Sequence, residues 1–178
     1  MRPLIILSLF LGSWQISLSQ HLNEQHSSPH HAVEHGIWEI ITTGLYAFPF
    51  SEEEGLGGGE AHLTYWFDHN WGTGLSYTIK SENGEAVQDL ALLGSWNPKR
   101  WLTLNIGPSF GFANEHRDFT LTGYFEAEIN VRVSESFHFG PVFGSLIGRH
   151  SEVSAGFHLG FEFPDPLRNR DSSHSSSH

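Results

Sequence analysis

Imidazole and carboxylate are the groups with which this sequence could do chemistry. Its 178 residues include 13 histidines and 20 acids but no cysteine, which removes thiol nucleophiles, thiolate metal sites and a disulfide-stapled scaffold together. The densest run comes early, at His21, His26, His30, His31, Glu34 and His35, and His174 and His178 close the chain. Imidazole suits Zn, Cu or Ni. His31 and His35 would share one face if their segment became helical. Nothing in so polar a run preorganises its donors, so a linker with incidental histidines is the first reading and weak metal capture the alternative. The metal candidates are therefore His26, His30, His31, Glu34 and His35. No catalytic residue is expected, and no cofactor other than that optional metal.

A second set is scattered through the chain: Glu39, Glu60, His62, Glu126, Glu128, Arg132, His138, His158 and Glu162. These residues can act together only if the elements that carry them turn them to one face. The alternation supplies that face. Val153, Ala155, Phe157, Leu159, Phe161 and Phe163 alternate with Ser154, Gly156, His158, Gly160 and Glu162. Leu102 to Phe112, Phe119 to Val133 and Trp71 to Ile79 repeat the period of two, which is the signature of strands with one apolar face. Eight strands are predicted, at 37–49, 58–67, 71–80, 87–96, 101–113, 118–133, 137–148 and 152–163. Asp68-His69-Asn70, Asn83-Gly84, Asn97-Pro98-Lys99-Arg100 and Ser134-Glu135-Ser136 separate them as turns. The first and fourth strands alternate poorly. Pro108 and Pro141 fall inside matching Gly-Pro-x-Phe-Gly stretches, where each must sit at a bulge or lose a ladder bond.

The fold class expected is all-β: an eight-stranded antiparallel up-and-down transmembrane barrel with a polar interior filled by side chains. A soluble lipocalin-like barrel is the rival, and Gly36-Ile37-Trp38 matches that family's first-strand Gly-x-Trp. Facing decides between them. A lipocalin keeps its apolar face inside, whereas here the alternate face carries Gly, Ser, Thr, Glu, Arg and His. That set fills a narrow lumen, where charges must pair, and leaves the apolar face for lipid.

The ends of the chain fit export. Met1-Arg2, the apolar run Leu4 to Leu11 and the small residues Ser17 and Ser19 read as a secretory signal over 1–19. Residues 20–36 then form a His-rich periplasmic segment, 37–163 the barrel and 164–178 a polar tail. The formal charge is −11, and loss of Arg2 makes the remainder more acidic still. Nucleic acid is excluded as a partner for so acidic a chain. No other stretch reaches about 18 apolar residues, so no transmembrane helix is expected. Gly55 to Gly59 lacks the Lys and Ser/Thr of a phosphate loop.

The chain resembles the small eight-stranded outer-membrane barrels of Gram-negative bacteria over roughly residues 36–163. Tyr65-Trp66-Phe67-Asp68-His69-Asn70-Trp71-Gly72-Thr73-Gly74-Leu75 is similar to a strand–turn–strand stretch of uncharacterised "outer membrane protein beta-barrel" families. Gly160-Phe161-Glu162-Phe163 resembles the aromatic final strand read by the barrel-insertion machinery, though without the usual glycine spacing and with a polar tail behind it. The resemblance implies outer-membrane location with both termini periplasmic. It places Trp38, Trp66, Trp71, Trp96 and Trp101 in one interface girdle at the periplasmic rim, where amphipathic rings sit. Tyr46, Phe48, Tyr77, Phe110, Phe112 and Phe119 fall at the opposite rim. Outer loops carry Glu52, Glu53, Glu54, Glu82, Glu85, Glu115 and Asp118 as a solvated surface. A monomer is expected, partnered by the lipid bilayer and by the insertion machinery during biogenesis. Its role is structural, adhesive or envelope-stabilising, with metal handling at the His-rich tails as the alternative. A lipid-modifying enzyme is a further reading, with His116 or His150, the latter beside Ser151, as its only handles.

Overall fold

The computed structural model describes residues 36–50, 54–82, 84–113 and 118–164. Its strands are β1 (Ile37–Pro49), β2 (Leu56–Trp66), β3 (Trp71–Glu82), β4 (Glu85–Lys99), β5 (Leu102–Gly111), β6 (Thr120–Ile129), β7 (Val131–Arg132), β8 (Phe137–Ile147) and β9 (Glu152–Pro164). Sequential strands pair antiparallel, and β1 closes on β9 over its whole length, from Ile37 opposite Pro164 to Pro49 opposite Glu152. β6 and β7 both pair with β8 and are two halves of one strand. The result is a closed eight-stranded barrel with no free edge, so no open sheet edge meets lipid.

The expected strand at 118–133 is thus divided, and the cause lies across the ladder. Glu128 pairs with Val142 and Val131 with Phe139, and the two steps between them, at Gly140 and Pro141, are unpaired. Pro141 has no N–H to donate, and Gly140 lies so near β6 that a Cβ there would fall 1.8 Å from the Ile129 carbonyl oxygen. Gly107-Pro108 does the same between β4 and β5. Pairing stops after Ala91–Ser109 and resumes at Gly94–Ile106, and a Cβ on Gly107 would meet the Leu92 oxygen at 1.7 Å. Both prolines therefore cost ladder bonds without changing register. The one register shift of the β4–β5 pair lies elsewhere, between Trp96 and Lys99.

The burial pattern is that of a membrane barrel, inverted relative to a soluble one. Among the described residues, the buried set holds about twice as many polar as apolar residues, and Ile40, Leu63, Leu75, Leu92, Ile106, Phe125, Phe143, Leu159 and Phe161 are exposed around the outside. Such an exterior is far larger than the apolar patches of soluble monomers and matches the lipid-facing band of a transmembrane barrel. No helix among the described residues is long and apolar enough to cross a membrane.

Candidate functional site

The polar chemistry of this chain lies in its lumen, layered from the rim where β1 begins and β9 ends. Each inward residue follows from the period of two: Glu39 on β1, Glu60 and His62 on β2, Glu126 and Glu128 on β6, His138 on β8, and His158 and Glu162 on β9. At the rim Arg132 donates through Nη1 and Nη2 to both oxygens of Glu162, at 3.1 and 2.6 Å. This two-pronged pair fits guanidinium geometry. Glu39 accepts from Trp66 Nε1 at 2.8 Å. The His138 ring lies between the two carboxylates, Nε2 at 3.3 Å from Glu39 and Nδ1 at 3.7 Å from Glu162.

One layer in, His158 Nε2 lies 3.0 Å from Asn130 Oδ1. Asn130 Nδ2 donates to Thr103 Oγ1 at 2.8 Å, and Thr103 donates to Asn97 Oδ1 at 2.6 Å. Asn105 then bridges two acids, its Nδ2 donating to Glu126 at 3.0 Å and to Glu128 at 2.7 Å. His62 Nδ1 lies 3.7 and 3.6 Å from the same acids, and its Nε2 contacts Glu60. Glu60 also accepts from Ser76 and, at 2.6 Å, from the Tyr124 hydroxyl. Beyond Tyr124 an apolar layer of Ala91, Leu93, Tyr124 and Leu146 crosses the lumen. Towards the opposite mouth, Lys80 Nζ is held by Asp89 at 3.2 Å and Glu152 at 2.5 Å. A cavity of about 20 Å³ lies among Glu60, Tyr124, Lys80, Asp89 and Glu152, room for a single water.

Chemically the lumen is a stack of charge-assisted hydrogen bonds around an excess of carboxylate. Three groups within it present donors close enough to share a cation: Glu39, His138 and Glu162; Glu128, His138 and His158; and Glu60, His62 and Glu126. The structure turns Glu39, Glu60, His62, Glu126, Glu128, His138, His158 and Glu162 into the lumen, and Arg132 stands partly exposed at its mouth. The Lys80–Asp89–Glu152 cluster is an addition. Its signal was the parity of Lys80 with the inward Ser76 and Thr78.

One residue of the expected aromatic girdle is corrected. Trp66 faces the lumen and is buried, because the alternation that turns Glu60, His62 and Thr64 inward turns Trp66 inward too. A buried indole N–H needs an acceptor, which Glu39 provides. Trp38 packs against Tyr65, with ring centroids 4.9 Å apart. Trp71 and Trp96 stack at 5.8 Å on the exterior of the same rim, and Trp101 is exposed there. At the other rim Tyr46 packs edge-on to Phe48, and Phe110 lies near Phe119. His26, His30, His31, Glu34 and His35 lie outside the described residues, as do His116, the expected segment 1–19, all but Gly36 of the expected segment 20–36 and all but Pro164 of the tail 164–178. Ser151 spends its hydroxyl on Gly148, accepting from its N–H at 3.0 Å and donating to its carbonyl at 2.9 Å. It is not paired with His150.

No family model matches this chain, and no curated protein does. Solved structures do. The N-terminal β-barrel domain of OprF from Pseudomonas aeruginosa is 15% identical, covers 70% of this chain and 97% of its own, and superposes with a TM-score of 0.53. Ail of Yersinia pestis is 11% identical over 73% of this chain and 99% of its own, with a TM-score of 0.48. Neisserial surface protein A is 8% identical over 73% and 97%, with a TM-score of 0.46. The likeness to the OprF domain shows the fold alone, a small β-barrel.

Proposed function

We propose that this chain is a plugged outer-membrane barrel with a structural, adhesive or envelope-stabilising role, inserted as a monomer with both termini in the periplasm. The observation that carries the reading is the lumen. Packed polar side chains, many of them hydrogen-bonded to one another, fill it from Arg132–Glu162 to Lys80–Glu152, with an apolar layer at Leu93 and Leu146. An eight-stranded barrel is only wide enough for its own side chains, so the lumen offers no ion path. Function then belongs to the barrel as a membrane anchor and to the loops and tails it presents. The tryptophans outside one rim and the tyrosine and phenylalanine rings at the other suit two headgroup layers. The aromatic last strand supports recognition by the insertion machinery. Planar bilayers test the central point. Reconstituted barrel should leave the membrane silent under applied voltage, and stepwise ohmic conductance would replace the plugged anchor with a pore.

A further inference from the structure

Two neighbouring strands repeat one pattern. His138-Phe139-Gly140 on β8 and His158-Leu159-Gly160 on β9 both place His-x-Gly on the inner face. The register sets His138 opposite Gly160 and Gly140 opposite His158. The His138 ring lies over Gly160, where a Cβ would fall 2.1 Å from Nε2, and Gly140 leaves the space beside His158. The two rings meet edge to face with centroids 5.5 Å apart, and both residues are fully buried. Glu128 of β6, equally buried, completes the group: one donor atom from each of Glu128, His138 and His158 lies within 4.8 Å of the others.

Each of the three residues keeps at least one buried side-chain atom without a hydrogen bond. Glu128 Oε1 accepts from Asn105, but Glu128 Oε2 makes no hydrogen bond. Neither ring nitrogen of His138 makes one, and His158 leaves Nδ1 without one. Buried polar atoms are normally satisfied, and a cluster of exceptions calls for an explanation. The surroundings also set the tautomer of His158. Asn130 gives its Nδ2–H to Thr103, so its Oδ1 faces His158 and takes the Nε2–H, leaving a bare lone pair on Nδ1. This is how a ligating histidine is oriented by the groups behind it. Charge points the same way. Glu39 and Glu162 form a second donor group with the same His138, and Arg132, paired with Glu162, is the permanent cation beside them.

We propose that Glu128, His138 and His158 bind a divalent transition-metal ion within the lumen, with Zn²⁺ the best match to two imidazoles and one carboxylate. Three protein donors leave a fourth position for water. The ion ties β6, β8 and β9 together beside the ladder interrupted at Ile129 and Pro141.

The test uses the full chain refolded in detergent with Zn²⁺, then washed with chelator. A variant with His21, His26, His30, His31, His35, His174 and His178 changed to alanine removes tail binding. Metal analysis of that variant should still find about one zinc per chain, lost in addition when His158→Gln or Glu128→Gln is introduced. Asn130→Ala, which removes only the orienting partner, should weaken affinity roughly 10–100-fold. Zinc that disappears with the tail histidines, or that survives both lumen substitutions, would overturn the site. If the lumen variants do not fold, X-ray absorption of the cobalt-loaded tail variant decides: two imidazoles and a carboxylate support it, and an all-oxygen shell refutes it.

Discussion

At the scale of single residues, removing one partner of a buried hydrogen bond in the lumen is costly, because a buried polar group left alone costs more than its bond returns. Trp66 and Trp71 make the contrast. Both lie at the same rim, yet Trp66 is buried with its N–H on Glu39, and Trp71 is half-exposed on the outside. Trp66→Phe strands the Glu39 oxygen and should lower unfolding stability by about 1–3 kcal/mol. Trp71→Phe keeps an aromatic ring at the interface and should stay within about 0.5 kcal/mol. Denaturant titration of the folded barrel in detergent micelles, followed by intrinsic fluorescence, measures both. Equal losses would mean that Trp66 does not bear on the polar interior.

At the scale of strands, the two Gly-Pro steps are where the barrel gives up ladder bonds, and close approach of the neighbouring carbonyl leaves no room for a side chain. Gly107→Ala and Gly140→Ala should each destabilise the barrel by about 1–3 kcal/mol or more through overpacking. Gly123→Ala, whose Cβ would sit 3.7 Å from the Ile147 oxygen, should be tolerated. Folded yield read from the heat-dependent gel shift of each variant separates these outcomes. The same strands show what a sequence makes legible. Where one face was apolar and the other polar, as at Val153 to Phe163 or Phe119 to Val133, both strand and facing followed from the alternation. β4 resisted because Val87, Ala91 and Leu93 inside are as apolar as Leu90 and Leu92 outside. That inner apolar layer packs on Tyr124 and Leu146, a contact no local pattern reveals. The division of β6 from β7 was equally hidden, since its cause, Pro141, lies on another strand. Trp66 went astray because its position at a strand end outweighed its parity with Glu60 and His62. The Lys80–Asp89–Glu152 cluster joins three strands, and only the closed topology brings it together.

At the scale of the whole molecule, one polar face and one apolar face have been wrapped into a cylinder with the polar face inside. The arrangement is stable only if lipid covers the outside, and that is the central claim. The chain has no cysteine, so single cysteines can be placed at Leu75, Leu92, Ile106, Phe125 and Leu159, outward positions spread around the barrel. Spin labels there, in the protein reconstituted into phospholipid vesicles, can be probed with oxygen, which concentrates in the bilayer, and with a water-soluble nickel chelate. The barrel described here predicts labels at all five positions that are relaxed by oxygen and shielded from the chelate. Labels open to the chelate, on protein that stays outside the vesicles, would contradict it.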